Sequence, residues 1–181
     1  MGNRLSRSGR SLIIDAVRVV HGLDVTAGDL ARDADKRWSL PELGLSVSVA
    51  HCGRYSAVAL GAAGPVGVDL QDERDRPAAM RWLGELLGLA APATIRDFTE
   101  CEALIKASHV TKETFAGVRL PAWRPGWRAT NVPPYHVRSA RLAPDLHLAL
   151  VTGRPAPVRW WWRPGRAAPA TPTDALTLEA A

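Results

Sequence analysis

Cysteine is scarce: Cys52 and Cys101 are the only two in 181 residues, too few for a disulfide framework or a structural zinc site. They read as reduced, buried thiols. Both fall in segments that also carry the polar motifs, which would put them near each other. Long apolar runs are lacking too, for no stretch approaches the roughly 20 residues that cross a bilayer. No charged, apolar and small-residue succession marks a secretory leader. These absences predict a cytoplasmic chain with no membrane partner. A contiguous arginine face interleaved with aromatics is also missing. Arg4, Arg7 and Arg10 cluster at the start, while Arg124, Arg128, Arg138 and Arg141 are spread over the second half, which argues against a nucleic-acid stripe. The net charge of +5 and pI near 9.9 nevertheless favour an anionic partner, such as a phosphate-rich cofactor or an acidic protein.

At this length the chain can build one good core, or two small lobes sharing one. Residues 11 to 21 read as an amphipathic helix with Ile13, Ala16, Val17 and Val20 on one face and Gly22 as its stop. Thr26 with Asp29 reads as a short capped turn. Three strands follow, Leu45 to Ala50, Tyr55 to Leu60 and Val66 to Leu70, and their short loops predict an antiparallel meander. A helix over Ala78 to Leu89 and another over Ala93 to Ser108 come next. Strands are then expected at Tyr135 to Leu142, His147 to Thr152 and Val158 to Trp162. Pro121 to Pro134, with its prolines and Trp123 and Trp127, reads as a long irregular loop. Helices then strands, twice over, predict an α+β fold of two similar α/β lobes. Each would be an antiparallel sheet packed by helices, the two related by an approximate two-fold axis, with the active site in the cleft between them. The N-terminal lobe is assigned to residues 1–72, the C-terminal lobe to 73–163, and a disordered Ala, Pro and Thr rich tail to 164–181.

Two segments carry the chemistry. In Val66-Gly67-Val68-Asp69-Leu70-Gln71, the period-2 geometry of a strand puts Asp69 and Gln71 on one face. In Phe98-Thr99-Glu100-Cys101-Glu102-Ala103-Leu104-Ile105-Lys106, a helix advancing about 100° per residue aligns Glu102 and Lys106 with Ile95, Phe98 and Ile105, the face expected to be buried. Charges there are costly unless something pairs with them. A hard divalent ion such as Mg²⁺ takes one or two carboxylates, with the rest supplied by substrate phosphates and water. Asp69 and Glu102 offer the carboxylates and Gln71 a carbonyl oxygen, while Lys106 faces an anion. The plain alternative is a surface Glu102–Lys106 pair beside a lone strand aspartate.

Together these segments resemble the signatures of the 4'-phosphopantetheinyl transferases, in the larger single-chain, two-lobed branch. That pattern is a hydrophobic-Gly-hydrophobic-Asp strand followed some thirty residues later by an aromatic-Thr/Ser-x-Lys-Glu-Ala/Ser-x-x-Lys helix. Val47-Ser48-Val49-Ala50-His51-Cys52-Gly53-Arg54 is similar to the family's Ser-His-Ser/Thr-Gly segment, and Arg10-Ser11-Leu12 to its Arg-Thr/Ser-Leu helix start. The resemblance spans roughly residues 8 to 152. It implies Mg²⁺-dependent transfer of the phosphopantetheine arm from coenzyme A to a serine of an acyl or peptidyl carrier protein, by a monomer, releasing 3',5'-ADP. It also implies that Asp69 and Glu102 bind the metal and the pyrophosphate, beside the carbonyl oxygen that Gln71 offers, that Glu102 serves as base, directly or through water, and that Lys106 neutralises the pyrophosphate. His51 would meet the 3'-phosphate, and Arg10, Ser11 and Lys36 the adenosine end. Gln71, Cys101 and Ala50 stand where the pattern has an acid, a lysine and a serine, and the stretch before Arg10 is short for that branch. A family-fold protein with altered chemistry, still acting on an acyl or carrier-bound substrate, is the alternative.

Overall fold

The computed structural model describes residues 2–62, 64–159 and 161, with side chains from residue 9 onward. The chain is α+β, with three helices and two antiparallel four-stranded sheets among the described residues. Helix α1 (Gly2–His21) buries Ile13 and Val17 completely against Leu40, Leu45 and Val47. Burial of each such side chain contributes about 1.5–3 kcal/mol. The first sheet runs β1 (Ala31–Arg32), β2 (Trp38–Leu40), β3 (Leu45–Cys52) and β4 (Tyr55–Gly61) as a meander.

Strand β5 (Val66–Asp72) does not continue that meander, contrary to the expectation from the short loop. It pairs antiparallel along its whole length with β8 (Leu146–Thr152), from Val66 opposite Thr152 to Asp72 opposite Leu146. The second sheet is ordered β5-β8-β7-β6, with β6 (Arg128–Ala129) and β7 (His136–Ala143) completing it. Gly64, with a left-handed φ of 110°, turns the chain just before β5, and the run of buried positions from Gly67 to Leu70 needs cover on both faces. The chain therefore changes sheets seven residues before the boundary expected at 72/73, at the start of β5.

The second sheet is covered on both faces. Val68, Leu70, Leu148 and Leu150 pack with Ala50 and Cys52 of the first sheet. On the opposite face, Val137, Ala149 and Val151 pack against helix α3 (Ile95–Ala107). Helix α2 (Pro77–Leu87) adds Leu83 and Leu87 to that second cluster and ends on Gly88 in the left-handed region. Cys52 and Cys101 belong to these two different clusters, so the thiols are not neighbours as expected.

Three further sequence readings change. Short strands at Ala31–Arg32 and Trp38–Leu40 were not expected, and β6 interrupts the proline-rich loop. Val158 and Arg159 lie in no strand, and Trp161 is exposed. Trp160, Trp162 and the tail 164–181 lie outside the described residues.

Candidate functional site

Helix α3 starts on a capping box. Thr94 Oγ1 accepts from the Asp97 N–H, and Asp97 Oδ2 accepts from the Thr94 N–H at 2.8 Å, satisfying donors that would otherwise be orphaned. The helix then crosses β5 at close range, and Gly67 is what permits it. A Cβ at position 67 would lie 2.0 Å from the Ala103 carbonyl and 2.9 Å from the Ala107 nitrogen. The pleat puts Gly67, Asp69 and Gln71 on the same side as this glycine, so Asp69 meets the helix one step further along.

The core face of α3 differs from the one expected. Ile95, Thr99, Glu100, Cys101, Ala103, Leu104 and Ala107 are buried, whereas Phe98, Glu102, Ile105 and Lys106 are only half-buried flank positions. Lys106 reaches β5 from that flank. Its Nζ donates to Asp69 Oδ1 at 2.7 Å and to the Val68 carbonyl at 2.9 Å. The other carboxylate oxygen, Asp69 Oδ2, accepts from Gln71 Nε2 at 2.8 Å. Gln71 Oε1 in turn accepts from Arg76 Nη1 at 2.7 Å. Arg76 lies over the Phe98 ring and also reaches Asp72. Sequence reasoning missed Arg76, and its position directly before Pro77 gave no pattern to find it by.

Glu102 is turned elsewhere, forming an ion pair of 3.4 Å with Lys112. Among the described residues no three His, Cys, Asp or Glu side chains are grouped to hold a metal ion. As arranged, the set does not fit a divalent ion. Both oxygens of Asp69 are engaged, Gln71 presents amide protons, and Glu102 faces an ammonium.

Between the first sheet and the end of α3 lies a groove of about 490 Å³. Arg32, Lys36, Arg37, Lys106 and Lys112 line it against only Asp35 and Glu113 among carboxylates. Trp38 forms part of its wall and lies under two guanidinium groups, Arg32 at 4.9 Å and Arg10 at 5.9 Å from the ring centre. Arg37 ties the wall to the helix by donating to the Ser108 carbonyl. Lys36 and Lys106 thus line the groove, and Arg10 joins it through Trp38. Ser11 is exposed on α1. His51, near the end of β3, shares its Nδ1 with Ser56 Oγ at 2.8 Å. Desolvation, and then the Lys106 charge, hold the His51 pKa below the ordinary imidazole value.

Two polar features escape the groove. Glu100 and Arg128 form an ion pair sealed at 1% exposure each, with Ser139 Oγ donating to Glu100 Oε1 at 2.5 Å. Its i+3, i+4 and i+7 spacing to Ala103, Leu104 and Ala107 on α3 could have revealed Glu100, but nothing marked Arg128 as its partner. Burial also drives the Cys101 thiol far above the usual range, with the carboxylates of Asp97, Glu100 and Glu102 adding to the shift, so it stays protonated and inert. No protein-family model matches the chain, and no curated protein matches it significantly.

Proposed function

We propose that the chain transfers the 4'-phosphopantetheine arm from coenzyme A to a serine of an acyl or peptidyl carrier protein, releasing 3',5'-ADP. The observation that carries this reading is Lys106. A single ammonium bonds the strand aspartate of one motif from the helix of the other, while lining a groove with five basic side chains against two carboxylates. Coenzyme A carries its charge as a pyrophosphate and a 3'-phosphate, and charge-assisted bonds from Lys and Arg are the strong ones for such groups. In this reading the groove belongs to the cleft between two lobes related by an approximate two-fold axis. The Arg10–Trp38–Arg32 wall and Lys36 hold the adenosine end, and His51 meets the 3'-phosphate.

The reaction is displacement at the phosphorus that bears the pantetheine arm. The serine oxygen forms a new bond to that phosphorus, the bond to the bridging oxygen breaks, and the nucleotide leaves with the electron pair. Glu102, directly or through water, takes the serine proton, for which it would have to release Lys112. Lys106 neutralises the leaving phosphate. Such catalysis is largely positioning and charge stabilisation. Mg²⁺, when bound, would add charge stabilisation at the substrate phosphates, and Asp69 and Glu102 would have to exchange their present partners to hold it. The alternative, a family-fold protein with altered chemistry acting on an acyl or carrier-bound substrate, is favoured by the engagement of both Asp69 oxygens.

Incubation of the chain with coenzyme A, Mg²⁺ and several apo carrier proteins, read by intact mass, tests both. The expected outcome is a gain of one phosphopantetheinyl mass, with Asp69→Ala and Glu102→Ala each slowing it by about 100-fold or more. No gain on any carrier would overturn transfer in favour of the altered-chemistry reading.

A further inference from the structure

The cation at Asp69 is a side chain, and its neighbours fix that choice. The aspartate side chain is only 7% exposed, and its two oxygens accept from Lys106 Nζ and Gln71 Nε2. A buried carboxylate needs a positive partner, and the ammonium supplies it. Gln71 is not free to turn its amide. Its Oε1 accepts from Arg76 Nη1 at 2.7 Å, so reversal would set the carbonyl against the Asp69 carboxylate and the amide protons against the guanidinium. Two attractive contacts would become two repulsive ones. Arg76 is itself held, with Nη2 at 3.1 Å from Asp72 Oδ1 and the guanidinium carbon 5.5 Å from the Phe98 ring centre. A divalent ion needs oxygen lone pairs, and at Asp69 it would meet an ammonium on one side and amide protons on the other.

We propose that Gln71 and Arg76 select Lys106, in place of a divalent ion, as the cation resident at Asp69 in the ligand-free chain. Position 71 is then the specificity switch. A glutamate there would keep its contact with Arg76 while turning toward Asp69 an oxygen lone pair in place of amide protons, which is the donor a divalent ion requires. Arg76 is a positioning residue that acts only by orienting the amide. The inference takes from the transferase reading only the expectation that an ion acts at Asp69, and it is tested by ion binding.

The full chain is titrated with Mn²⁺ and free Mn²⁺ is followed by electron paramagnetic resonance, with circular dichroism checking that each variant folds. Wild type should bind only in the millimolar range. Gln71→Glu should bind about tenfold tighter or better, and Arg76→Met, which leaves every Asp69 partner in place but frees the amide to turn, should fall between. Wild type binding as tightly as Gln71→Glu overturns the proposal. Should Gln71→Glu fail to fold, Arg76→Met decides, and an affinity no higher than wild type overturns it as well. A chain that shows this Mn²⁺ pattern but modifies no carrier would leave the inference standing and remove the transferase reading. Transfer without the pattern would do the reverse.

Discussion

Two ion pairs reach out from the same helix, and they differ in what surrounds them. Glu100–Arg128 is sealed at 1% exposure on both sides, and its carboxylate is further bonded by Ser139. Asp69–Lys106 leaves 30% of the lysine side chain exposed at the edge of a basic groove. The first pair has no access to a ligand, so its charges are met within the fold, by each other, by Ser139 and by the Pro121 carbonyl. The second pair keeps one face on solvent, where the proposed phosphate ligand would compete with Asp69 for the same ammonium. Burial, more than the chemistry of the residues, separates a pair closed to ligands from one that a ligand could reach.

The sharpest way to break the comparison is to remove one member of the sealed pair. Arg128→Met should cost about 3–5 kcal/mol, because Glu100 is left buried and charged with only Ser139 beside it. Replacing both, as Glu100→Leu with Arg128→Met, should recover most of that loss. Denaturant unfolding of the two variants checks this, and equal losses would show that the pair is not an electrostatic unit. If Asp69 and Lys106 act on a ligand as proposed, the equivalent double replacement there should give no such recovery in the transfer assay.

Gly67→Ala tests the approach that makes the second pair possible. Its Cβ would meet the Ala103 carbonyl at 2.0 Å. Backbone cannot move aside as a side chain does, so the cost should lie at the upper end of the roughly 1–3 kcal/mol typical of overpacking. The helix would be pushed off β5, carrying Lys106 away from Asp69. Thermal unfolding measures the first effect. A melting temperature unchanged from wild type would mean that α3 and β5 are not in this contact.

The smallest effect concerns His51, at the open end of the comparison. Its folded pKa lies below the ordinary 6.5, from desolvation first and the Lys106 charge second. The unfolded chain therefore takes up a proton before the folded one does. Stability from this group is complete above pH 6.5 and is lost as pH falls through the window down to the folded pKa. A bound 3'-phosphate favours the imidazolium. The preference for coenzyme A over dephospho-coenzyme A should thus grow as pH falls from about 8 toward about 6, where the phosphate monoester begins to take up a proton of its own. Calorimetry that finds equal affinities for the two throughout would remove His51 from the ligand site.

The sequence by itself determined the local elements. The three helices, the strands β3, β4, β5, β7 and β8, and the shared face of Asp69 and Gln71 were legible because periodicity is written in consecutive residues. The chain order of the two motifs was legible for the same reason. Only the tertiary structure decided which strands pair. A short loop suggested that β5 joins β4, yet β5 lies against β8, some eighty residues away in sequence, because its Gly67, Val68, Asp69 and Leu70 are all buried and need cover on both faces. Tertiary packing also chose the core face of α3, where tight contact at Gly67 turned Glu100 inward and left Glu102 and Lys106 on the flank. Partners such as Arg128 and Arg76 followed from that choice. A side chain's charge is fixed by its residue, but which opposite charge it meets depends on how far the helix rotates as it settles on the sheet.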